Sequence, residues 1–150
     1  MLMYQIRECQ VEDTEAIQTL NREELGYSFP LVDTQRKLEM LLHSGKDKIY
    51  VAEMDGTVVG YVHACDYDVI YFPHMKNIMG IAVSSQCRSL GIGKALLSKV
   101  EDWARESGAA GVRLVSGSER TEAHLFYKHC GYDTGKMQLN FKKRVSYDIR

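Results

Sequence analysis

The 150-residue chain has only two prolines and one tryptophan, and its charges nearly cancel to a formal net charge of -1. That balance excludes a protein that holds nucleic acid or an anionic membrane by bulk charge. Long hydrophobic runs are also missing: no stretch approaches the ~18 apolar residues a membrane helix requires. The first ten residues, MLMYQIRECQ, lack the apolar core of a secretory signal. The expected compartment is therefore the cytoplasm. Cys9, Cys65, Cys87 and Cys130 are widely spaced and form no CxxC pair. Reduced thiols are expected, with no disulfide framework and no metal site. Repeats, linkers and low-complexity segments are absent too, so one domain is expected over residues 1–150, large enough to bury a substantial core.

What is present alternates between strand and helix signals. MYQIREC reads as a strand, VEDTEAIQTLNREELGY as a helix, and DTQRKLEMLLHSG as a second helix that starts at Asp33 or Thr34 and stops at Gly45. KIYVAEMDGTVVGYVHACDY places two β-rich runs around Asp55-Gly56, a dipeptide suited to a tight hairpin. DVIYFPHM reads as irregular and ends at Pro73, and KNIMGIAV is a nearly unbroken apolar strand. GKALLSKVEDWARESG is an amphipathic helix with Leu96, Leu97, Val100, Trp103 and Ala104 in one stripe. GVRLVSG is a short strand, ERTEAHLFYKHCG a helix capped by Gly131, and KMQLNFKKRV a last strand. The order β-α-α-β-β-β-α-β-α-β implies a mixed α/β (α+β) domain with one central sheet.

The segment CRSLGIGKALL stands out. It follows a buried strand and opens a helix, whose first N–H groups have no internal partner and sit at the positive end of the dipole. Such a site attracts phosphate. Gly91 and Gly93 allow close approach to the backbone, and Arg88 and Lys94 add positive charge. A bland alternative is a tight strand-to-helix turn with a solvated lysine. Two common phosphate loops do not fit. The Walker pattern fails because Arg88 stands where a glycine is needed and Ala95 where Ser or Thr is needed. The dinucleotide fingerprint fails because Leu96 stands where Gly or Ala is needed.

Arg-x-x-Gly-x-Gly, from Arg88 to Gly93, resembles the pyrophosphate signature of the GNAT family of acyl-CoA-dependent N-acyltransferases. The segment RTEAHLFYKHCGY resembles the family's second motif through Ala123, Phe126, Tyr127, Gly131 and Tyr132, with Arg120 where Asn is common. The resemblance extends to the element order over nearly the whole chain. It implies splayed parallel strands in the middle of the sheet and acetyl-CoA as co-substrate. It also implies direct acetyl transfer to a primary amine in a ternary complex. Backbone groups of Ile81, Ala82 and Val83 would hold the pantetheine arm, and the turn Arg88, Ser89, Gly91, Ile92, Gly93 and Lys94 the pyrophosphate. Tyr127 would be the acid that protonates the leaving thiolate. Gly80 in the apolar strand reads either as a close approach or as a β-bulge.

The family's strand carboxylate is missing from KNIMGIAV, so the base is open. His74, Asn77 and Tyr67, with Asp66 and His63, lie in the segments expected to line the acceptor. Glu23, Glu24, Asp33, Asp66 and Asp68 suggest a cationic acceptor, either a small molecule or a protein amine. Exposed sheet edges would accommodate a homodimer. Two other classes compete: a non-catalytic acyl-CoA sensor, and a nucleotide-phosphate binder unrelated to coenzyme A.

Overall fold

The computed structural model describes residues 3–146, in two compact units that divide between Val115 and Ser116. In the first unit, β1 (Gln5–Glu8), β2 (Asp47–Met54), β3 (Thr57–Val69), β4 (Phe72–Val83) and β5 (Val112–Leu114) form one sheet in sequence order. The first three pairings are antiparallel and β4–β5 is parallel. This is the mixed α/β architecture the sequence implies.

Local chemistry explains the turns. Asp55 and Gly56 both adopt positive φ, 52° and 77°, as a two-residue hairpin of the mirror-image type requires. The helix α1 (Thr14–Leu20) runs into a π-helical turn, Asn21–Leu25, that ends at left-handed Gly26. The next helix, α2 (Leu31–Leu42), begins earlier than the expected Asp33 or Thr34. Its cap is Pro30, whose carbonyl accepts from both the backbone N–H and the hydroxyl of Thr34. Proline suits this place because it needs no donor there.

A second difference lies at DVIYFPHM. It is the tip of a long hairpin, with β3 running to Val69, β4 resuming at Phe72 and the turn at Ile70 and Tyr71. The exposed tip tolerates Pro73 because no ladder partner is needed on its outer side.

The helices α1 and α2 pack against one face of the sheet, where Val51, Tyr61 and Ala82 meet Ile17, Leu20 and Leu38. The other face carries α3 (Ile92–Glu106), which follows β4. Ile92, Leu96, Leu97 and Val100 are at most 1% exposed, each contributing roughly 1.5–3 kcal/mol by burial. Gly60 lets α3 come close: a Cβ there would lie 3.4 Å from both Ile92 and Leu96 and 3.1 Å from the Ala82 carbonyl. Arg7 ties β1 to the first turn of the chain's helical region, donating to both Asp13 oxygens at 2.9 Å and to Glu53.

The second unit contains α4 (Thr121–His129). Gly131, at φ 93°, ends it: its N–H donates to Lys128 O and that of Tyr132 to Tyr127 O. This is the double-bonded helix stop that glycine favours. The expected last strand, KMQLNFKKRV, is not formed. Residues 133–146 have no regular secondary structure, and Met137, Leu139 and Phe141 are exposed. The alternation is real, but a strand also needs an edge to pair with, and among the described residues no ladder includes this segment. Among the described residues no helix is long and apolar enough to cross a membrane.

Candidate active site

The parallel pairing of β4 with β5 is short. Their ladder covers only Lys76↔Val112, Asn77↔Arg113 and Ile78↔Leu114. Beyond Ile78, β4 continues for five more residues without β5 beside it. The interruption coincides with an irregularity on the other edge. His63 faces Gly80 while Ala64 faces Ile78, so Met79 is an extra, bulged residue. Of the two readings of Gly80, the bulge is present, and a Cβ at Gly80 would have only an ordinary contact, 3.7 Å from the Tyr61 hydroxyl. All three residues of β5 are paired, and β4 runs on to Val83 after β5 has ended at Leu114.

At the end of β4 the chain makes the turn that the sequence singled out. Ser84 caps a single 3-10 turn, Ser85–Cys87, by accepting from Gln86 N–H, and buried Cys87 pins that turn to the core. Ser89 (φ 69°) and Gly91 (φ 81°) are left-handed. Such a conformation costs an ordinary residue about 1–2 kcal/mol. No side chain caps α3, and its first internal backbone bond from the cap is Ala95 N–H to Gly91 O. The N–H groups before it have no partner within the helix, the arrangement in which a helix start can take an anion. Ile92 is buried and anchors the turn, while Lys94 is exposed beside it.

One carboxylate enters this turn. Glu24, from the π-helical turn, accepts from Ser85 N–H at 3.0 Å and from Arg88 Nη2 at 3.1 Å. Glu24 is 10% exposed and Arg88 is 61% exposed. Glu24 thus belongs to the turn rather than to an acceptor surface. Its separation from Arg88 in sequence hid that role.

Strand alternation separates the three candidate acceptor residues. His74 lies on the face shared with Lys76, Asp66 and Asp68, whereas Tyr67 and Asn77 lie on the opposite face. Both nitrogens of His74 are engaged: Nδ1 with Asp68 at 2.8 Å and Nε2 with Lys76 Nζ at 3.0 Å. The Lys76 ammonium, 2% exposed, donates to Asp66 and lies 3.9 Å from the Trp103 ring centre. A buried charge is tolerated only when surrounded in this way. His63 Nε2 pairs with Asp47 at 2.7 Å. On the opposite face Arg113 brings Tyr67 and Asn77 together, donating to Asn77 Oδ1 at 2.5 Å and stacking 4.1 Å above the Tyr67 ring. Neither Lys76 nor Arg113 carried a motif. Asp66 and Asp68, like Glu24, have partners within the chain.

In the second unit, α4 holds Tyr127 between Phe126, ring centres 5.3 Å apart, and Tyr132, 6.3 Å apart. Burial raises its pKa above the ordinary tyrosine value, against the lowering effect of Arg120. The phenol is accordingly protonated at neutral pH. Arg120, the departure from the family pattern, sits at the start of α4 and provides no side-chain cap.

The site thus combines a central mixed sheet, a β4 that outruns its parallel neighbour, and an uncapped glycine turn at a helix N-terminus. The chain belongs to the acetyltransferase (GNAT) family, whose model matches residues 14–132. It is 33% identical over 108 residues to an uncharacterized N-acetyltransferase, MJ1207, of Methanocaldococcus jannaschii, covering 70% of this chain and 47% of that one. It is 46% identical over 50 residues to the uncharacterized N-acetyltransferase YhdJ of Bacillus subtilis, covering 33% of this chain and 35% of that protein. The chain thus spans less than half the length of either relative. Among solved structures, the aminoglycoside N-acetyltransferase AAC(6')-Iy in complex with CoA superposes with a TM-score of 0.87 at 19% identity, covering 97% of both chains.

Proposed function

We propose that this chain is one N-acetyltransferase domain that moves an acetyl group from acetyl-CoA to a primary amine by direct attack in a ternary complex. The observation that carries the reading is the uncapped turn Arg88–Lys94, with two left-handed residues ahead of α3. Its N–H groups would hold the pyrophosphate. The stretch Ile81–Val83, past the end of the β5 ladder, would hold the pantetheine arm. The aminoglycoside acetyltransferase of Stenotrophomonas maltophilia, 25% identical over 120 residues, covering 73% of this chain and 75% of that protein, supports a small-molecule amine as acceptor.

The reaction forms a bond from the amine nitrogen to the thioester carbon and breaks carbon–sulfur. The nitrogen loses one proton and the leaving thiolate gains one. An alkyl amine with pKa ~10.4 must first be deprotonated, at a cost of about 4–5 kcal/mol at pH 7. Tyr127, protonated at working pH, would supply the proton to sulfur. The amine proton would leave through water, since His74 is engaged at both nitrogens.

Acetyl-CoA turnover across polyamines, aminoglycosides, amino acids, aminophosphonates and peptides, read by release of the CoA thiol, tests the proposal. Turnover with any amine well above hydrolysis supports it. Tight CoA binding without turnover would mean a sensor, and stabilisation by ATP or NAD but not by CoA would mean a different ligand class.

A further inference from the structure

Arg113 has no ion pair among the described residues, as is also true of exposed Lys94, but unlike Lys94 it is partly buried and held by its neighbours. Arg88 has Glu24, Lys76 has Asp66 and Arg7 has Asp13 and Glu53. Among the described residues no carboxylate lies within ion-pairing distance of Arg113, whose contacts are neutral: the Asn77 amide oxygen and the Tyr67 ring. Asp66 and Asp68 lie on the opposite face of the sheet, paired with Lys76 and His74, and Asp47 is paired with His63.

The guanidinium is nevertheless held firmly. Tyr67 covers one face, and Asn77 takes one hydrogen from Nη1. A guanidinium has five N–H donors in a fixed fork, so most of its donors remain for another acceptor. A planar fork fixed in this way loses little freedom on binding and matches a carboxylate or phosphate in two-point geometry. Its location is also specific. Asn77↔Arg113 is the middle rung of the three-rung β4–β5 ladder, one residue before β5 ends.

We infer that Arg113, presented by Asn77 and Tyr67, binds an oxyanion carried by the acceptor, so that the preferred amine bears a carboxylate or phosphate. The inference rests on the transferase reading for its meaning. It narrows the substrate class from amines in general to anionic amines, and it opposes the polycationic acceptor suggested by the carboxylate-rich segments.

The test uses acceptor pairs matched except for the anion: β-alanine against propylamine, and phosphoethanolamine against ethanolamine, each with saturating acetyl-CoA. The expected result is a kcat/KM at least tenfold higher for the anionic member of one pair, and the better pair tells carboxylate from phosphate. In Arg113→Gln that ratio should fall to within twofold of unity, while Arg113→Lys should keep an intermediate preference. A ratio that favours the neutral amine, or one that Arg113→Gln leaves unchanged, overturns the inference. A purely structural arginine would lower Tm without moving the ratio.

A second measurement needs no turnover. NMR titration with N-acetyl-β-alanine and N-propylacetamide should show tenfold weaker binding of the acid in Arg113→Gln and unchanged binding of the neutral amide. Equal loss for both, or none, overturns the inference. If no amine is acetylated at all, the transferase reading fails, and this titration still decides whether Arg113 is an anion site.

Discussion

Glu24 and Arg88 are separated by 64 residues in sequence and by 3.1 Å in space, and the same carboxylate also accepts from Ser85 N–H. The contact braces the turn from outside and occupies a cation that the proposed pyrophosphate would use. Arg88 is well exposed, so its contribution is modest: Arg88→Ala should weaken CoA binding about three- to tenfold. Calorimetry with CoA and with pantetheine checks this, because pantetheine lacks phosphate and its affinity should not change.

The left-handed backbone at Gly91 makes a separate prediction. A Cβ there would meet only the Tyr4 hydroxyl, at 3.7 Å, so the penalty is conformational and not steric. Gly91→Ala should cost about 1–2 kcal/mol and lower Tm by roughly 2–8 °C for a chain of this size. A melting curve decides it; an unchanged Tm would mean that the turn relaxes without penalty.

Tyr127→Phe removes one hydroxyl and keeps the packing against Phe126 and Tyr132. It should cut kcat at least tenfold and leave CoA affinity nearly intact. Because burial raises the phenol's pKa, the wild-type alkaline limb that reports this group should lie above the ordinary tyrosine value of about 10. An unchanged kcat would remove Tyr127 from the chemistry.

His74→Ala tests the opposite expectation. With Nδ1 held by Asp68 and Nε2 by Lys76 Nζ, the imidazole has no lone pair left for an incoming amine. The acidic limb of kcat/KM should stay where it is. A shift of that limb would show that the network opens during turnover and that His74 takes the proton.

Asp13 governs a pH dependence of stability. Burial works against its charge, but Arg7 and the Gln10 N–H outweigh it and hold the carboxyl below its usual range. A depressed folded pKa contributes stability above the unfolded value of about 3.9 and loses it as pH falls through the folded value. Asp13→Asn should therefore be about 1–3 kcal/mol less stable at pH 7. The gap from wild type should close in acid, as denaturation midpoints measured across pH would show.

The parts of this molecule that local rules control were legible in the sequence. Asp55-Gly56 announced a hairpin, the stripe Leu96, Leu97, Val100 and Ala104 announced α3, and the spacing of Arg88, Gly91 and Gly93 announced the turn. What was hidden depends on contacts between distant segments. Nothing near Glu24 says that it caps Ser85, and nothing near Arg113 says that Tyr67 lies beneath it. The hairpin at DVIYFPHM was obscured by Pro73, which local rules read as a stop. Parity could have separated His74 from Asn77, but only once β4 was known to begin at Phe72.

The short β5 ladder leaves the second half of β4, among the described residues, as a ribbon paired on one edge only. A ligand that docks along such an edge is read by amide spacing, which side-chain substitutions other than proline leave in place. On the proposed reading, the donor side of the domain would stay constant while the side chains of Tyr67, Asn77 and Arg113 changed with the acceptor. Separating an inherited grip from an adjustable one would let a single scaffold acquire new partners without relearning its first.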